Sequence, residues 1–204
     1  MRHVPGELAD HLDRLKWNAR YEGGFGRSFA PHPLAVRALS LELPDGPVLD
    51  LACGTSGSAL LAAEAGRRVT AVDISEVALG LLGEEARRRG LGRLLTLVRA
   101  DLAAWRPQPV SYSLVLCTGY WDSAVFAAAA DAVAAGGLLG WEAFTAEARR
   151  ARPGLCPGWC LDPGEPASLL PARFTVLAQQ DLPDGECSTK RRLLARRQAA
   201  TTAQ

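Results

Sequence analysis

The stretch VLDLACGTSGSALLAAEAGRRVTAVDIS, residues 48–75, decides the fold. It contains two short apolar runs, 48–52 and 68–72, on either side of a segment rich in alanine and leucine, 58–65. A glycine-rich turn follows the first run, and an aspartate follows the second. A strand, a helix and a second strand in this order predict a β-α-β unit with parallel strands.

The same alternation continues toward the C-terminus. Helices are predicted at 75–89 and 122–135, and strands at 94–99, 114–118, 138–144, 174–181 and 189–196. The last two strands flank the turn residues Pro183, Asp184 and Gly185, which indicates an antiparallel hairpin. The sequence therefore predicts an α/β fold with a doubly wound, mostly parallel seven-stranded sheet that ends in a C-terminal antiparallel hairpin.

Three acids fall at the carboxyl ends of three consecutive predicted strands: Asp50, Asp73 and Asp101. A single acid in such a place is most often a helix cap or a turn residue. Three at matched strand ends indicate a ligand with several hydrogen-bond donors, because ligands of open parallel sheets bind beyond these ends. Gly54 and Gly57 let the backbone pass close to that ligand. The turn lacks the complete G-x-G-x-x-G pattern of dinucleotide-binding proteins.

The quoted stretch resembles the cofactor-binding core of class I S-adenosylmethionine-dependent methyltransferases. ADL at 100–102 is similar to their adenine motif, and AGGLLGWEAFT at 135–145 is similar to the strand after their last core helix. The resemblance covers roughly residues 45–196 and implies a Rossmann-like methyltransferase. The cofactor would be S-adenosyl-L-methionine, the product S-adenosyl-L-homocysteine, and the methyl group would pass to a small-molecule acceptor. WNARY at 17–21 also resembles the leading helix of the tellurite-resistance-type branch of small-molecule methyltransferases.

Carried over residue by residue, the resemblance implies a set of cofactor contacts. Residues near the methionine part and the transferring methyl group would be Asp50, Ala52, Cys53, Gly54, Thr55, Ser56, Gly57, Cys117 (through its carbonyl) and Thr118. Residues near the ribose and adenine would be Asp73, Ile74, Asp101 and Leu102. The sequence departs from the family at Ala52 and Ser56, where glycine is frequent, so the geometry of this turn is the open question.

The acceptor side of the site is less defined by the sequence. A general base is needed only if the acceptor must lose a proton, and the candidates are Tyr21, His32 and Asp122. Acceptor contacts are expected from Tyr21, Tyr120 and Trp121, although core packing explains such aromatic residues equally well. The irregular segment at 145–165 is the expected source of acceptor specificity, with its charged and aromatic residues Arg149, Arg150, Arg152 and Trp159.

The chain shows no internal repeat and no linker, so we expect one methyltransferase domain over 1–204. Its expected parts are an N-terminal helical cap over the cofactor site at 1–44, a cofactor-binding core at 45–144, an irregular lid or acceptor segment at 145–166, and the C-terminal hairpin region at 167–197. The cap is predicted from leucines at helical spacing within 7–21 and from a second helix that begins near Pro33 and runs to about Leu43.

Composition excludes several kinds of partner. With 23 basic and 22 acidic residues, the formal net charge of +1 gives no electrostatic reason to expect nucleic acid or a membrane surface. The first twenty residues lack the apolar run of a signal peptide. Five cysteines at irregular spacing, including Cys156 and Cys160, do not form a metal-binding pattern. We therefore expect a cytoplasmic protein without metal, either a monomer or a homodimer.

Two alternative functions stay open at this point. One is an NAD(P)-dependent oxidoreductase on a related sheet, which the incomplete glycine motif disfavours. The other is a non-catalytic protein that binds S-adenosylmethionine, for which Ser56 and the lack of an evident base leave room.

Overall fold

A computed structural model describes residues 8–26, 28–183 and 189–199 of the chain. Its helices are α1 (Leu12–Glu22), α2 (Pro33–Leu39), α3 (Gly57–Glu64), α4 (Glu76–Arg88) and α5 (Ser123–Ala132). Its strands are β1 (Val48–Leu51), β2 (Val69–Asp73), β3 (Leu95–Arg99), β4 (Tyr112–Thr118), β5 (Val133–Phe144), β6 (Phe174–Pro183) and β7 (Thr189–Arg197). Short 3-10 turns lie at Ala146–Arg150, Pro157–Trp159 and Ala167–Leu169.

The seven strands of the described chain form one sheet in the order β3-β2-β1-β4-β5-β7-β6. Strands β1 to β5 pair in parallel, whereas β7 runs antiparallel to both β5 and β6. This arrangement confirms the predicted doubly wound sheet with an antiparallel C-terminal hairpin. Strand β1 pairs with β2 on one side and with β4 on the other, so the strand order reverses there. Such a reversal opens a crevice at the carboxyl ends of the strands.

Side-chain caps explain why four helices begin where they do. The side chains of His32, Ser56, Ser75 and Asp122 accept hydrogen bonds from the first turns of α2, α3, α4 and α5, at 3.2, 3.0, 3.1 and 2.9 Å. Each cap satisfies a backbone N–H group that has no partner within the helix. Three of these caps lie at the strand edge where the crevice opens, so they also position the site.

The core lies on both faces of the sheet, as expected for parallel strands covered by helices. One face packs Phe126, Trp121 and Trp141 together, with ring centroids 5.2 to 6.2 Å apart. The other face holds Leu34, from α2, in one cluster with apolar residues of α3 and α4. Alternate residues of β1 therefore serve different cores, with Leu49 in the first.

The boundaries of two elements differ from the sequence prediction. Strand β5 begins at Val133, inside the predicted helix over 122–135 and before the predicted strand over 138–144. Val133 pairs with Tyr112 and Leu138 pairs with Leu114, so several residues of β5 oppose one residue of β4 in a bulge. Gly136 has φ +77°, a conformation that glycine adopts without steric cost. The alanine-rich sequence hides this bulge because it has high helix propensity.

The two N-terminal helices are shorter than predicted. Helix α1 begins at Leu12 instead of near residue 7, and α2 ends at Leu39 instead of near Leu43. The predicted hairpin turn after Pro183 falls on residues 184 and 185, outside the described residues. Across the described residues, no helix combines the length and the hydropathy needed to cross a membrane.

Candidate active site

A cavity of about 590 Å³ opens at the carboxyl ends of β1 to β5. Its wall comes from the turn after β1, from the ends of four further strands, and from α1 and the segment that follows it. The residues that line it are Asp13, Trp17, Arg20, Tyr21, Phe25, Gly26, Ser28, Ala30, His32, Ala52, Cys53, Thr55, Ser56, Gly57, Ser58, Asp73, Ile74, Ala100, Asp101, Leu102, Thr118, Gly119, Tyr120, Phe144, Arg152 and Lys190. Most of the predicted cofactor residues are among them.

Asp73 joins the end of β2 to the glycine turn after β1. Its Oδ2 accepts a hydrogen bond from the Gly54 N–H at 2.7 Å, and its Oδ1 accepts one from the Ser75 N–H at 2.8 Å. Burial raises the pKa of this carboxyl, while the backbone N–H groups of Ser75, Gly54 and Ile74 oppose the rise. The carboxylate is thereby held in one orientation at the cavity wall. Each of its oxygens keeps lone-pair capacity for a further donor.

Asp50 lies behind the cavity wall and does not face the cavity. The Ser56 hydroxyl donates a hydrogen bond to Asp50 Oδ2 and accepts one from the Ala59 N–H at 3.0 Å. Burial raises the pKa of Asp50 to about 7, although the bond from Ser56 acts in the opposite direction. Ser56 therefore occupies a frequent glycine position of the family with a side chain that caps α3 and satisfies Asp50. The direct methionine contact predicted for Asp50 is not available in this arrangement.

The glycine turn is shaped by two close approaches and by one non-glycine residue with a positive φ. A Cβ on Gly57 would collide with the carbonyl groups of Phe29 and Ala30, so the segment before α2 packs directly on the turn. Gly54 has φ +56°, and a Cβ there would collide with the Tyr21 hydroxyl. Ala52 also has a positive φ, of 48°, which is unfavourable for a residue with a Cβ. Ala52, at a position where the family often has glycine, therefore has a strained backbone.

Asp101 stands at the far end of the cavity, beyond β3. Its Oδ1 accepts a hydrogen bond from the Ala103 N–H at 2.9 Å, which fixes the carboxylate in a turn. Its Oδ2 lies 3.5 Å from His11 Nε2, just before α1. Ala100 and Leu102 line the cavity on either side of it. An acid between two apolar residues matches the kind of wall predicted for an adenine ring with its exocyclic amine.

Helix α1 covers the cavity and is bound to α4 by polar contacts. Arg14 Nε donates to Glu76 Oε2 at 2.9 Å, and the Ser75 hydroxyl donates to Asn18 Oδ1 at 2.7 Å. Its aromatic residues Trp17 and Tyr21 pack with Phe25, with ring centroids 5.6 to 6.1 Å apart. The cluster places an apolar surface over the glycine turn.

None of the three candidate bases is arranged to accept a proton in the cavity. Burial, together with the charge of Asp73, raises the pKa of Tyr21, so its hydroxyl stays protonated. Asp122 lies outside the cavity wall, where it caps α5. His32 lines the cavity, but its Nδ1 accepts from the Leu34 N–H at 3.2 Å and its Nε2 lies 3.1 Å from Glu142 Oε1. Both ring nitrogens of His32 therefore have partners within the protein.

Burial corrects the prediction that Trp121 contacts the acceptor. Trp121 does not line the cavity, because it is 5% exposed and packs against Phe126 and Trp141 in the core. The Cys117 side chain is fully buried in the same core, and its burial raises the pKa of the thiol. Tyr120 does line the cavity, and its carbonyl accepts a hydrogen bond from Trp141 Nε1 at 3.0 Å.

Glu142 was not predicted from the sequence, although it contacts three basic side chains at the β5 end of the cavity. Its carboxylate is within 3.1 Å of His32 Nε2, 2.7 Å of Arg192 Nη2 and 3.9 Å of Lys190 Nζ. Burial alone would raise the pKa of Glu142, but the bonds and charges of His32 and Arg192 lower it to about 2. A signal was present, because an acid inside the apolar run LLGWEAF is unusual for a buried strand. Phe144 and Lys190 were missed with it.

No group of three or more His, Cys, Asp or Glu side chains within the described ranges has the arrangement to hold a metal ion. Cys156 and Cys160 lie in the segment after β5 as free thiols.

Comparisons with known proteins indicate which class of protein this chain resembles. A search of curated proteins gave no match. Among solved structures, one of a protein involved in converting a disulfide bond into a thioacetal group during echinomycin biosynthesis shares 19% identity over 93% of both chains, with a TM-score of 0.65. The magnesium protoporphyrin IX methyltransferase of Synechocystis PCC 6803 with bound SAH shares 22% identity over 80% of this chain and 79% of that one, with a TM-score of 0.58.

A third structure, a phosphoethanolamine-type N-methyltransferase of Haemonchus contortus with bound S-adenosylhomocysteine, covers 97% of this chain and 61% of its own, at 14% identity and a TM-score of 0.69. At these identities the structures show a shared fold, that of class I methyltransferases. Residues 48–137 of the sequence match the family described as "Methyltransferase domain". The domain match covers less than half of the chain, and together with the shared fold it supports a class I methyltransferase that uses S-adenosylmethionine.

Proposed function

We propose that this chain transfers a methyl group from S-adenosylmethionine to a small-molecule acceptor. The observation that carries the proposal is the wall of the cavity, where two fixed acids, Asp73 and Asp101, and the turn after β1 face one space. The volume of about 590 Å³ is in the range of small-ligand pockets. Because this space would hold both the cofactor and the acceptor, it favours an acceptor of modest size.

Each part of the cofactor has a suitable group in the cavity wall. The Asp73 carboxylate can accept hydrogen bonds from two ribose hydroxyls, because backbone donors already fix its orientation. Asp101 would accept from the adenine amine, with Leu102 beside the ring. The turn from Ala52 to Gly57 would contact the methionine part, and Thr118 at the end of β4 would lie near the methyl group. These assignments agree with the residues implied by the resemblance.

The mechanism needs little chemistry from the protein. When bound, S-adenosylmethionine supplies a methyl group on a sulfonium leaving group. The residues of the chain have to align the acceptor with that carbon and keep water away, and alignment alone can supply much of the acceleration. Because Tyr21, His32 and Asp122 are not arranged as bases, we infer that the acceptor presents a lone pair without help from a protein base.

Two segments beside the cavity would keep water away from the reacting groups. Helix α1 carries Lys16, whose Nζ lies 4.6 Å from the ring centroid of Trp159 in the segment after β5. The parts predicted as the cap, 1–44, and the lid, 145–166, thus touch each other beside the cavity. Their roles as cap and lid are part of this proposal. The tellurite-resistance branch, the cytoplasmic location and the oligomeric state stay predictions.

Calorimetry with S-adenosylhomocysteine and with NAD tests the proposal. We expect the first to bind and the second not to. The variant Asp73→Asn should bind S-adenosylhomocysteine at least about tenfold more weakly, because a hydrogen bond to a charged group contributes about 1.5–3 kcal/mol. The matched variant Asp45→Asn alters an exposed acid in the turn before β1 and should bind as the wild type does.

The outcomes separate the open alternatives. Binding of NAD in place of S-adenosylhomocysteine would support an oxidoreductase. Binding of S-adenosylhomocysteine without release of this product from S-adenosylmethionine across a broad panel of acceptors would support a non-catalytic binding protein. Equal affinity of Asp73→Asn and wild type would contradict the proposed cofactor position.

A further inference from the structure

The hydroxyl group of Tyr21 lies in the cavity wall without a hydrogen-bond partner among the described residues. Tyr21 belongs to the last turn of α1, and the residue is only 8% exposed. Its oxygen would lie 2.3 Å from a Cβ built on Gly54, so the hydroxyl sits directly on the glycine turn. A ligand that covers a buried hydroxyl group without offering it a partner loses affinity. The ligand of this cavity is therefore expected to form a hydrogen bond with Tyr21.

Tyr21 offers its ligand a proton that it does not give up. Burial raises the pKa of Tyr21, the charge of Asp73 acts in the same direction, and the charge of Arg20 acts in the opposite direction. The hydroxyl therefore stays protonated and remains a hydrogen-bond donor. Because a donor forms its strongest hydrogen bonds with a charged acceptor, an anionic oxygen of the ligand is the best partner for Tyr21.

Three donors of the glycine turn beneath Tyr21 are already used within the protein. The Thr55 hydroxyl donates to a backbone carbonyl of the segment after α1, and the Ser56 hydroxyl donates to the buried acid of β1. The Gly54 N–H donates to Asp73 Oδ2 at 2.7 Å. The methionine part of the cofactor, which we propose to lie on this turn, therefore needs donors from outside the turn. The Tyr21 hydroxyl is a donor of this kind.

We propose that the Tyr21 hydroxyl donates a hydrogen bond to the carboxylate in the methionine part of S-adenosylmethionine. The inference rests on the proposed function, because it requires that part of the cofactor to lie on the turn after β1. The carboxylate is the only anionic group of the cofactor, so it is the acceptor that a protonated hydroxyl binds most strongly. Tyr21 then contacts the cofactor and not the acceptor, which is the contact expected for it from the sequence.

Basic side chains of the cavity wall are other possible partners for this carboxylate, and the described ones are Arg20, Arg152 and Lys190. Arg20 shares α1 with Tyr21, and its Cζ lies 4.3 Å from the ring centroid of Phe25 and 4.9 Å from that of Trp17. The other two lie beside Phe144 at the end of β5, and β4 separates that strand from the strand before the glycine turn. A carboxylate has two oxygens and can accept from a guanidinium and a hydroxyl together. The test must therefore separate the effect of Tyr21 from that of Arg20.

The test compares two ligands on two proteins by calorimetry. The ligands are S-adenosylhomocysteine and its decarboxylated counterpart, S-adenosyl-3-thiopropylamine, and the proteins are the wild type and Tyr21→Phe. We expect Tyr21→Phe to bind S-adenosylhomocysteine about tenfold or more weakly than the wild type, because it lacks one hydrogen bond to a charged group. The decarboxylated ligand should bind both proteins equally well. Phenylalanine keeps the ring that packs against Trp17 and Phe25, so the variant should fold.

A second background separates the hydroxyl from the nearby guanidinium. In protein that carries Arg20→Met, the further change Tyr21→Phe should still weaken S-adenosylhomocysteine and leave the decarboxylated ligand unaffected. Loss of this selective effect in the Arg20→Met background would show that Tyr21 acts through Arg20, which overturns the proposed direct hydrogen bond.

The matched control is Tyr112→Phe, which removes a hydroxyl from another tyrosine that is 9% exposed, at the start of β4 and away from the cavity wall. It should bind both ligands as the wild type does. The inference is overturned if Tyr21→Phe binds S-adenosylhomocysteine as tightly as the wild type, if it weakens both ligands equally, or if Tyr112→Phe has the same effect. Absence of S-adenosylhomocysteine binding to the wild type would overturn the proposed function itself, so the two failures are distinguishable.

Discussion

The hydroxyl group of Tyr21 occupies the place where a side chain on Gly54 would lie. A Cβ on Gly54 would collide with the Tyr21 oxygen, and Gly54 also has φ +56°. The turn after β1 and the helix that covers it are therefore fitted to each other at one point. Any side chain at position 54 must move α1, the turn, or both.

The first prediction concerns Gly54→Ala. The added methyl group should displace Tyr21 from the turn and reduce the affinity for S-adenosylhomocysteine at least about tenfold, as measured by calorimetry. Gly66→Ala is the matched control, because Gly66 has φ +78° with no neighbouring atoms within 4 Å of an added Cβ. It should lose about 1 kcal/mol of stability through the same backbone strain, yet keep full affinity. Unchanged affinity in Gly54→Ala would show that the ligand does not depend on this contact.

A second prediction uses the positive φ of Ala52. Ala52→Gly should raise the free energy of unfolding by about 0.5–1 kcal/mol, because glycine adopts φ 48° without the steric cost that alanine bears. Ala65→Gly, at the exposed end of α3 with φ −77°, should instead lower the unfolding free energy by a similar amount. Urea unfolding of both variants measures the difference. Destabilisation by both changes would mean that residue 52 is not strained.

A third prediction follows from the pKa of about 7 for buried Asp50. Between about pH 4 and 7 the folded protein holds a proton on Asp50 that the unfolded chain has released. The stability from this group is therefore complete below its ordinary pKa and is lost as the pH rises toward 7. Asp50→Asn is neutral throughout, so it should gain at least about 2 kcal/mol relative to the wild type between pH 4 and pH 8.

Urea unfolding at several pH values measures this gain. The exposed variant Asp45→Asn should show no comparable change with pH. A constant difference between Asp50→Asn and the wild type over the whole range would mean that Asp50 is ionised in the folded protein at pH 4.

A fourth prediction addresses the contact between the two covering segments. Trp159 is 40% exposed and lies beside Lys16 of α1. Because an exposed cation–π contact contributes about 0.5–1 kcal/mol, Trp159→Ala should speed the dissociation of S-adenosylhomocysteine about two- to fivefold in stopped-flow measurements. Leu169→Ala removes another exposed apolar side chain, 41% exposed, and should leave the dissociation rate unchanged. Equal rates for Trp159→Ala and the wild type would contradict the prediction that the contact between α1 and the segment after β5 slows dissociation.

Several features could be read from the sequence because they depend on neighbouring residues. The strands are short apolar runs. Helices α3, α4 and α5 follow Ser56, Ser75 and Asp122, which are good capping residues. Asp73 ends β2 and Asp101 follows β3, and both lie on the cavity wall, since parallel strands bring their carboxyl ends to one edge. The fold and the position of Asp73 and Asp101 at the cavity were therefore predictable.

The other end of the cavity could not be predicted, because it depends on contacts between distant segments. His32 and Glu142 are 110 residues apart, and their pairing occupies the ring nitrogen that a base would need. Trp121 and Tyr120 are adjacent in sequence, but one enters the core and the other lines the cavity. Lys190 lies beside Phe144 because β7 pairs with β5. Local patterns specify strands, turns and caps, whereas contacts between distant segments depend on how the whole sheet and its covering helices pack.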